Sequence, residues 1–461
     1  MKKNNLLLML VTLAFPVLMI NIEYTGISVV TPAISTALSI PLAQTNWIAL
    51  IYLLMFAAFI ISGGRLGDLY SAKRIMTLGL ILFIIGSFVG GISLTPWQML
   101  LGRGMQGLGA AIAFPNITSI AYQSAPDDKK GVVLGVLTGM IGLSMAIGPP
   151  LAGLVTTHGS WRWFFLINIP IGIFTTFIIY LFLPVIKSSN NLKEKVNFDF
   201  SGMVLLSILL GSIIYTLGLM KNGFDDFILL GSGFIIIFLS LVLFIYNENR
   251  VKQPLILFAH LKNTQLVIGC LIRSCIHFGV YIVLFIMGLY LVFVMEFSAY
   301  RAGLILFPMS IAMGLFSFIS GKLIDRYGPY IPTVFGIILL IVCYIGFMLL
   351  PIRENISLIM VLFAVYGIAY TLTSPGLMKL TLSAVDESTR GLASGLFYMM
   401  SLFGSTVGLA VTGLVLHCYS LASEKLSLIA AFLPLMGICL VVAIGALITL
   451  LILNKFDCKR L

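Results

Sequence analysis

Two ionisable residues lie inside long apolar runs, where a charged side chain is costly. Glu23 lies 9 residues before Pro32, and Arg103 lies 7 residues after Pro96. At 1.5 Å per helical residue, these offsets put both side chains at similar depths, roughly 13 Å and roughly 10 Å below one membrane face. Because an arginine in lipid needs a partner, we expect Glu23 to pair with Arg103. A carboxyl group that is both desolvated and paired can gain and lose a proton, as a proton-coupling site requires; a static buried ion pair is the alternative.

A second polar strip occupies one face of a later apolar run. Arg273, His277 and Tyr281 follow one another at four-residue spacing, which puts them on one side of a helix. We expect this strip to face a cavity, where Arg273 would bind an anionic or carboxylate-bearing substrate or His277 would carry protons. Interhelical hydrogen bonding explains the strip equally well.

A third polar group precedes Pro375. It comprises Tyr366, Tyr370, Thr371, Thr373 and Ser374. We predict a kinked helix with Tyr366 and Tyr370 on a polar cavity wall. Packing of helices through serine and threonine is the alternative.

The composition places these residues in a membrane protein. Of the 461 residues, 60% are hydrophobic and only 9% are charged, whereas soluble domains carry about 25% charged residues. So few charges cannot cover a water-exposed surface, which excludes a soluble or disordered chain. The net charge is +11, but the basic residues are scattered singly rather than grouped into a nucleic-acid-binding patch.

Fourteen apolar segments are long enough to cross a bilayer, which needs roughly 20 helical residues. They are 6–30, 46–66, 75–95, 98–122, 132–156, 164–184, 201–220, 227–246, 265–293, 303–321, 331–350, 357–378, 391–416 and 427–453. Such long, uniformly apolar runs exclude barrel strands, because backbone groups in lipid must bond within the segment. The predicted fold class is therefore an all-α integral membrane protein with 14 transmembrane helices.

The distribution of basic residues orients these helices. With the N-terminus inside, 20 of the 27 Lys and Arg residues fall in cytoplasmic segments and 5 in external ones. This positive-inside bias predicts that both termini are cytoplasmic. The basic start and the long apolar run after it predict a first spanning helix rather than a cleaved signal peptide.

An internal repeat divides the chain. Gly64–Asp68 and Gly321–Asp325 both read Gly, basic residue, Leu, any residue, Asp, and both lie in predicted cytoplasmic loops. Repeats of this kind build many secondary transporters. We predict a six-helix bundle at 1–184, a cytoplasmic linker at 185–200, an inserted helix pair with its loop at 201–262, and a second six-helix bundle at 263–461.

Both repeated loops carry residues suited to a gate. The set is Gly64, Asp68, Lys73 and Arg74 in the first loop and Gly321, Asp325 and Arg326 in the second. Glycine permits close helix approach, and an aspartate can bind a helix N-terminus or a basic side chain across the two halves. Such a cluster would hold one conformation and release another. A polar turn explains either loop alone, but it explains two copies at matching places poorly.

A glycine- and proline-rich segment lies in the fifth span. Gly148, Pro149, Pro150 and Gly153 follow a run of glycines at short spacing. Glycines allow close helix contact and prolines bend a helix, so we interpret the segment as a hinge beside a central cavity. Tight packing without motion is the alternative.

The remaining patterns argue against enzyme chemistry. The six cysteines form no CxxC motif and no Cys/His cluster with metal-ligand spacing. The sequence has no GxxxxGK[ST] phosphate-binding loop and no nucleophile–base pair. We expect no metal, no cofactor and no enzyme activity.

Five segments, in order, resemble the major facilitator superfamily, specifically its 14-span drug:proton antiporter branch. They are Glu23–Pro32, Gly64–Arg74, Leu100–Gly109, Gly148–Gly153 and Trp161–Gly172. The resemblance covers nearly the whole chain, although Glu23 stands where the family pattern has Asp. It implies two six-helix bundles with an inserted pair, ties Arg103 to proton transfer, and associates Gly148–Gly153 with antiporters rather than symporters.

The second half departs from the family's exporters of cationic compounds, which often carry further acids there. Predicted spans 9 to 14 contain no Asp or Glu and offer Arg273 and His277 instead. The resemblance implies a proton-coupled, multidrug-type antiporter that exports a small amphipathic compound by alternating access. An exporter of an anionic or zwitterionic metabolite or siderophore, and an uptake symporter of the same fold, are the alternatives.

Partners and location follow from the same reasoning. We expect a small-molecule substrate, protons and the lipid bilayer as partners, no nucleic acid, and a protein that functions as a monomer. The resemblance implies a multi-pass protein of a bacterial plasma (inner) membrane.

Overall fold

The structure is a computed structural model, and it describes residues 3–39, 47–183, 199–220, 227–251, 263–297, 299–349, 355–419 and 424–457. Within these residues the chain forms 14 long helices and no strand. This confirms the predicted all-α membrane fold, with a long helix for each predicted span. The predicted linker at 185–200 lies outside the described residues except for its last two, Asp199 and Phe200.

The helices follow one another with short connections. The first six are α1 (Lys3–Ala37), α2 (Trp47–Leu66), α3 (Ala72–Gly91), α4 (Pro96–Ser124), α5 (Lys130–His158) and α6 (Asn168–Phe182). The next two are α7 (Phe200–Met220) and α8 (Phe227–Glu248). The last six are α9 (Thr264–Leu289), α10 (Ala299–Tyr327), α11 (Tyr330–Met348), α12 (Ile356–Ser383), α13 (Arg390–Cys418) and α14 (Glu424–Asp457).

The hydropathy of these helices agrees with a membrane location. Eleven segments of the described chain are long and apolar enough to cross a membrane, and one of them, Trp47–Gly91, contains both α2 and α3. Two helices fall outside this set. Helix α7 is strongly apolar only over Phe200–Ile213, and α4 is less apolar because it carries Arg103, Gln106 and Asn116.

The sixth span, predicted at 164–184, is broken in the structure. Arg162–Leu166 forms a short helix, and α6 begins after it at Asn168. Pro170 lies in the first turn of α6, and a proline ring crowds the carbonyl four residues earlier, here that of Leu166. The break puts Asn168 at the start of α6, with its side chain hydrogen-bonded to α1.

The two repeated segments are helical, where the sequence predicted loops. A single π-helical turn, Gly67–Ser71, joins α2 to α3, and Gly321–Arg326 forms the last turns of α10. Helix α10 ends where Gly328 takes a left-handed conformation with φ of 78°, which only glycine adopts without strain. Neither segment contains a proline or a turn-forming pair that would end the helix earlier.

The helix contacts of the first six helices recur in the last six. Helix α1 packs on α5 and α6, α3 packs on α4 and α6, and α2 packs on α4. Eight helices later, α9 packs on α13 and α14, α11 packs on α12 and α14, and α10 packs on α12. The two sets meet mainly where α2 packs on α13 and α5 packs on α10, and these two contacts also correspond under the repeat.

Helices α7 and α8 form a separate pair. They pack on each other, and α7 also packs on α2 and α13. Asp199 fixes the start of the pair, because its carboxylate accepts hydrogen bonds from Gly202 N at 2.8 Å and Asn247 Nδ2 at 2.9 Å. The pair therefore covers one of the two contacts between the halves.

Candidate functional site

Glu23 and Arg103 form a buried ion pair. Arg103 Nη1 lies 3.0 Å from Glu23 Oε1, and both side chains are about 1% exposed. The Arg103 Nε group also donates to the carbonyl of Ile48 at 2.9 Å, and Nη1 donates to Gln106 Oε1 at 2.8 Å. A buried charge is stable only when it is paired and hydrogen-bonded in this way. The structure therefore brings together the two residues that the sequence predicted as partners.

The second carboxylate oxygen of Glu23 has its own partner. Asn168 Nδ2 donates to Glu23 Oε2 at 2.8 Å. Gln106 extends the network, since its Nε2 group donates to Ser87 Oγ at 2.9 Å. The carboxylate of α1 is thus held by α4 and α6 together, and the network reaches α3.

Tyr52 connects this network to a cavity. Its ring lies under the Arg103 guanidinium, with Cζ 4.5 Å from the ring centroid, which is a cation–π contact. Tyr52 and its stacked neighbour Tyr24 both line the cavity. The Tyr52 hydroxyl is buried and makes no hydrogen bond to any described residue.

The cavity lies between the two halves and has a volume of about 100 Å³. The first half contributes a largely apolar wall, which includes Ile20, Phe56, Phe114, Ile141 and Met145. The second half contributes most of the polar groups, which include Arg273, His277, Tyr281, Tyr370, Ser401 and Ser405. A cavity with one apolar and one polar wall suits an amphipathic molecule.

Arg273 is held by hydroxyl groups. Its Nε donates to Ser401 Oγ at 2.7 Å, its Nη1 to Ser374 Oγ at 2.7 Å and its Nη2 to Tyr370 OH at 3.1 Å. The guanidinium also lies 4.7 Å from the ring centroid of Phe397. Four contacts from α12 and α13 therefore fix one side chain of α9.

The other predicted cavity residues divide into two groups. His277 Nε2 lies 3.2 Å from Tyr370 OH, and Tyr281 hydrogen-bonds across the halves to Tyr24 through their hydroxyls. Tyr366 is not at the cavity: its hydroxyl pairs with that of Tyr344 at 3.0 Å, between α12 and α11. The structure therefore corrects the expectation that Tyr366 lines the cavity with Tyr370.

Each aspartate of the repeat caps a helix of the opposite half. Asp68 Oδ1 accepts from Gly391 N at 2.7 Å and Oδ2 from Leu392 N at 2.8 Å, at the start of α13. Asp325 accepts from Gly131 N at 2.6 Å and Val132 N at 2.8 Å, at the start of α5. A negative charge is stabilised at a helix N-terminus, where backbone N–H groups have no helical partner. We call the end of the helices that holds these two caps the motif end.

The glycines of the repeat allow this contact. A Cβ atom on Gly321 would lie 2.5 Å from Val132 Cα and 2.7 Å from the carbonyl oxygen of Gly131. A Cβ atom on Gly64 would collide with the backbone of Gly391 in the same way. The backbones of α10 and α5, and of α2 and α13, therefore touch directly at the motif end.

The basic residues of the repeat lie outside these caps. Lys73 Nζ donates to the carbonyl oxygens of Tyr180, at 3.2 Å, and of Leu183, at the end of α6 in its own half. Arg74 and Arg326 are exposed. Asp325 instead pairs with Lys379, whose Nζ lies 2.9 Å from Oδ1, and no sequence pattern distinguishes Lys379 from other lysines.

The segment Gly148–Gly153 lies within one continuous helix, because α5 runs from Lys130 to His158. A Cβ on Gly148 would meet Thr25 of α1, whereas one on Gly153 would lie 3.9 Å from Val29. Gly148 is therefore the tight contact of this segment and Gly153 the loose one. Pro150 is exposed, and the side chain of Pro149 lies outside the described residues.

Within the described part of the chain, no group of three or more His, Cys, Asp or Glu residues could hold a metal ion. Apart from Lys379, the residues that sequence reasoning missed are neutral: Asn168, Tyr24, Tyr52 and Tyr398. Tyr398 crosses between the halves, with its hydroxyl 2.9 Å from Thr118 Oγ1. Asn168 was visible only as an isolated amide in an apolar span.

Known proteins are similar to this chain in sequence and in fold. The chain is 28% identical over 424 residues to the multidrug resistance protein Stp of Mycobacterium tuberculosis, an alignment that covers 90% of this chain and 76% of the relative. It is 27% identical over 412 residues to the tetracenomycin C resistance and export protein of Streptomyces glaucescens, covering 88% and 75%. The crystal structure of the human organic anion transporter MFSD10 (TETRAN) superposes with a TM-score of 0.65 at 14% identity, over 96% of this chain and 99% of that chain. At that identity the last comparison shows the fold alone.

The family profile decides the assignment. The profile of the Major Facilitator Superfamily matches residues 13–409. The family and the transporter relatives indicate a multi-pass membrane transporter rather than an enzyme. This chain belongs to the Major Facilitator Superfamily.

Proposed function

We propose that this protein is a proton-coupled antiporter that exports a small amphipathic compound from a bacterial cell. The names of its relatives support export, since they describe multidrug resistance and tetracenomycin C export. The positive-inside bias supports a cytoplasmic location of the motif end and of both termini. In this orientation the two aspartate caps close the cytoplasmic end of the cavity.

Alternating access would come from rocking of two bundles, 1–184 and 263–461, about the cavity. The motif end opens when α13 leaves Asp68 and α5 leaves Asp325, because each cap joins the two bundles. The recurrence of the same helix contacts in both halves supports two bundles that move as units. The Tyr24–Tyr281 hydrogen bond joins the bundles on the external side of Arg273 and His277. It would therefore break in the state that is open to the outside.

The observation that carries the proposal is the buried Glu23–Arg103 pair next to the cavity. Glu23 takes a proton from outside when the substrate leaves, and the pair with Arg103 weakens as the carboxylate is neutralised. Tyr52 transmits the change, because it touches Arg103 on one face and lines the cavity. Release of the proton to the cytoplasm restores the pair. Coupling of this kind needs an ionisable group whose charge depends on the conformation of the protein.

The test uses purified protein in liposomes with an imposed proton gradient and an internal pH dye. Compounds of cationic, zwitterionic and anionic type are added in turn. The wild type should dissipate the gradient with its substrate, whereas Glu23→Gln should lose at least about 90% of this flux because it carries no titratable carboxyl. The mutant should still exchange substrate for substrate, which needs no net proton movement.

Glu248→Gln is the matched control, since Glu248 is a buried acid of α8 at the motif end and does not line the cavity. It should keep the proton flux. Full proton flux in Glu23→Gln would show that the proton site is elsewhere.

A further inference from the structure

Arg273 is a buried cation with no acidic partner among the described residues. It is 2% exposed and lines the cavity, and its three hydrogen bonds all go to neutral hydroxyls. The positive charge of a guanidinium inside a membrane protein must be compensated by its surroundings. Here the aromatic ring of Phe397 supplies part of that compensation. A buried charge without a counter-charge in a transporter is a functional feature by default.

Arg103 provides the internal comparison. Both arginines are almost fully buried, both lie against an aromatic ring, and both are held by helices of their own half. Arg103 is neutralised by Glu23 at 3.0 Å, whereas the hydrogen-bond partners of Arg273 are Ser374, Ser401 and Tyr370. Of these two arginines, only Arg103 has an acidic partner among the described residues.

The guanidinium of Arg273 keeps free donors. Arginine has five N–H donors in a planar fork, and the described hydroxyls occupy one on Nε, one on Nη1 and one on Nη2. One N–H on each terminal nitrogen therefore remains. N–H donors on terminal guanidinium nitrogens bind the oxygens of a carboxylate.

The walls of the cavity indicate which other chemical groups the ligand carries. Among the described residues that line it there is no Asp or Glu, so no carboxylate there attracts a cation. Tyr370, Ser401, Ser405 and His277 surround Arg273 with further hydrogen-bonding groups. Opposite them lies the apolar wall with Phe56, Phe114 and Met145, which suits a hydrocarbon or aromatic body.

We propose that Arg273 is the anion-binding subsite of the transported compound. The compound carries one carboxylate, or a sulfonate or phosphate of similar shape, at one end of an apolar body. Its acidic group forms two hydrogen bonds with the terminal nitrogens of Arg273, and its body lies against the first-half wall. This inference rests on the proposed function, because it assigns the cavity to the transported compound.

The test measures equilibrium binding to purified protein in detergent, without any proton gradient. The probes are 2-naphthoate, 2-naphthamide and 2-naphthylmethylammonium, which share one ring system and differ in the charged group. The wild type should bind the carboxylate at least about tenfold more tightly than the amide, since hydrogen bonds to charged groups are worth that much, and should bind the ammonium most weakly. Equal binding of all three, or no binding of the carboxylate, overturns the proposal.

Two variants assign the preference to Arg273. Arg273→Gln should bind the carboxylate and the amide equally. Ser374→Asp places a carboxylate next to Nη1, so it should lower naphthoate binding at least tenfold and favour the ammonium. The second variant keeps the arginine, and so it tests the proposal even if Arg273→Gln does not fold. Retention of the carboxylate preference in either folded variant overturns it.

The control separates this inference from the proton-coupling proposal. Glu248→Gln should keep the carboxylate preference unchanged, because Glu248 belongs to neither arginine network and does not line the cavity. A protein that binds naphthoate through Arg273 but shows no proton flux would retain the anion subsite and refute proton coupling. A protein that moves protons but binds the ammonium best would retain proton coupling and refute the anion subsite.

Discussion

At the scale of single residues, the hydrogen bonds to Glu23 are strong, but their strength depends on the charge of its carboxyl group. The carboxylate receives Arg103 on one oxygen and Asn168 on the other, at 3.0 and 2.8 Å. Both bonds are charge-assisted and weaken when the carboxyl is neutral. A proton on Glu23 therefore changes the contacts of α4 and α6 with α1 at once.

Tyr52 gives a residue-scale prediction. Its ring stabilises Arg103, but its hydroxyl has no hydrogen-bond partner among the described residues. Tyr52→Phe should therefore keep the unfolding temperature in detergent and the proton flux close to wild type. Tyr52→Leu should cost about 2 kcal/mol of stability, because a desolvated cation–π contact is lost.

The pair of variants is its own control, since both remove the hydroxyl and only one removes the ring. Loss of function in Tyr52→Phe would contradict this account and would assign a role to the hydroxyl.

Residue-scale features were predictable where a charge had to be explained. Glu23 and Arg103 stood out because ionisable side chains in lipid are rare, and their depths could be compared. Asn168 and Tyr52 are neutral, so nothing in the sequence distinguished them from packing residues. The polar group before Pro375 predicts that Tyr366 lines the cavity with Tyr370, but α11 covers the turn that holds Tyr366.

At the scale of helices, the motif end depends on direct backbone contact. Gly321 of α10 and Gly131 of α5 face each other, and a side chain on either would collide with the other helix. The aspartate caps lie at the same contacts, and the backbone N–H groups that they bind are within reach only when the helices touch. Close approach and capping therefore depend on one another.

Gly321→Ala tests this contact. The added Cβ would lie 2.5 Å from Val132 Cα, and overpacking of this kind costs about 1–3 kcal/mol. We expect the closed motif end to lose roughly tenfold or more in population, since 1.4 kcal/mol is a factor of ten. The readout is the labelling rate of Met313→Cys, at the cavity, by an impermeant maleimide added to inside-out vesicles, in a background without native cysteines.

Gly314→Ala is the matched control on the same helix, because a Cβ there would have nothing within 4 Å. It should label at the parent rate. Equal labelling of the two alanine variants would show that the α5–α10 contact does not close the motif end.

Most helix ends were predictable to within five residues because apolar length determines them, although α1 runs to Ala37 where the prediction ended at 30. The exceptions have local causes: Pro170 breaks the sixth span, and the repeated segments continue as helix up to Ser71 and Tyr327. A polar composition suggested loops there, but Asp68 and Asp325 lie between the two halves, where a helix satisfies its own backbone.

At the scale of the whole molecule, the two caps act on one motion if the bundles rock as units. Asp68 and Asp325 lie at different helix pairs but join the same two halves. Each aspartate uses its two carboxylate oxygens to accept from two backbone N–H groups. Mutation to Asn replaces one of these oxygens by an NH2 group, so one N–H group loses its acceptor. A lost helix cap costs about 0.5–2 kcal/mol.

The double variant Asp68→Asn with Asp325→Asn distinguishes rocking from local opening. When both caps stabilise one closed state, their free energies add, so the fold-increases in Met313→Cys labelling should multiply. Rates that merely add would indicate two independent local openings and would contradict rocking of 1–184 against 263–461.

The measurement that tests the central claim most directly is proton release on substrate binding. Purified protein in weakly buffered solution receives the compound that dissipates the gradient in liposomes. Antiport requires substrate and proton to oppose each other, and this coupling is reciprocal. The wild type should therefore release protons when the compound is added, and Glu23→Gln should release none. Proton uptake by the wild type, or equal release by Glu23→Gln, would contradict the account.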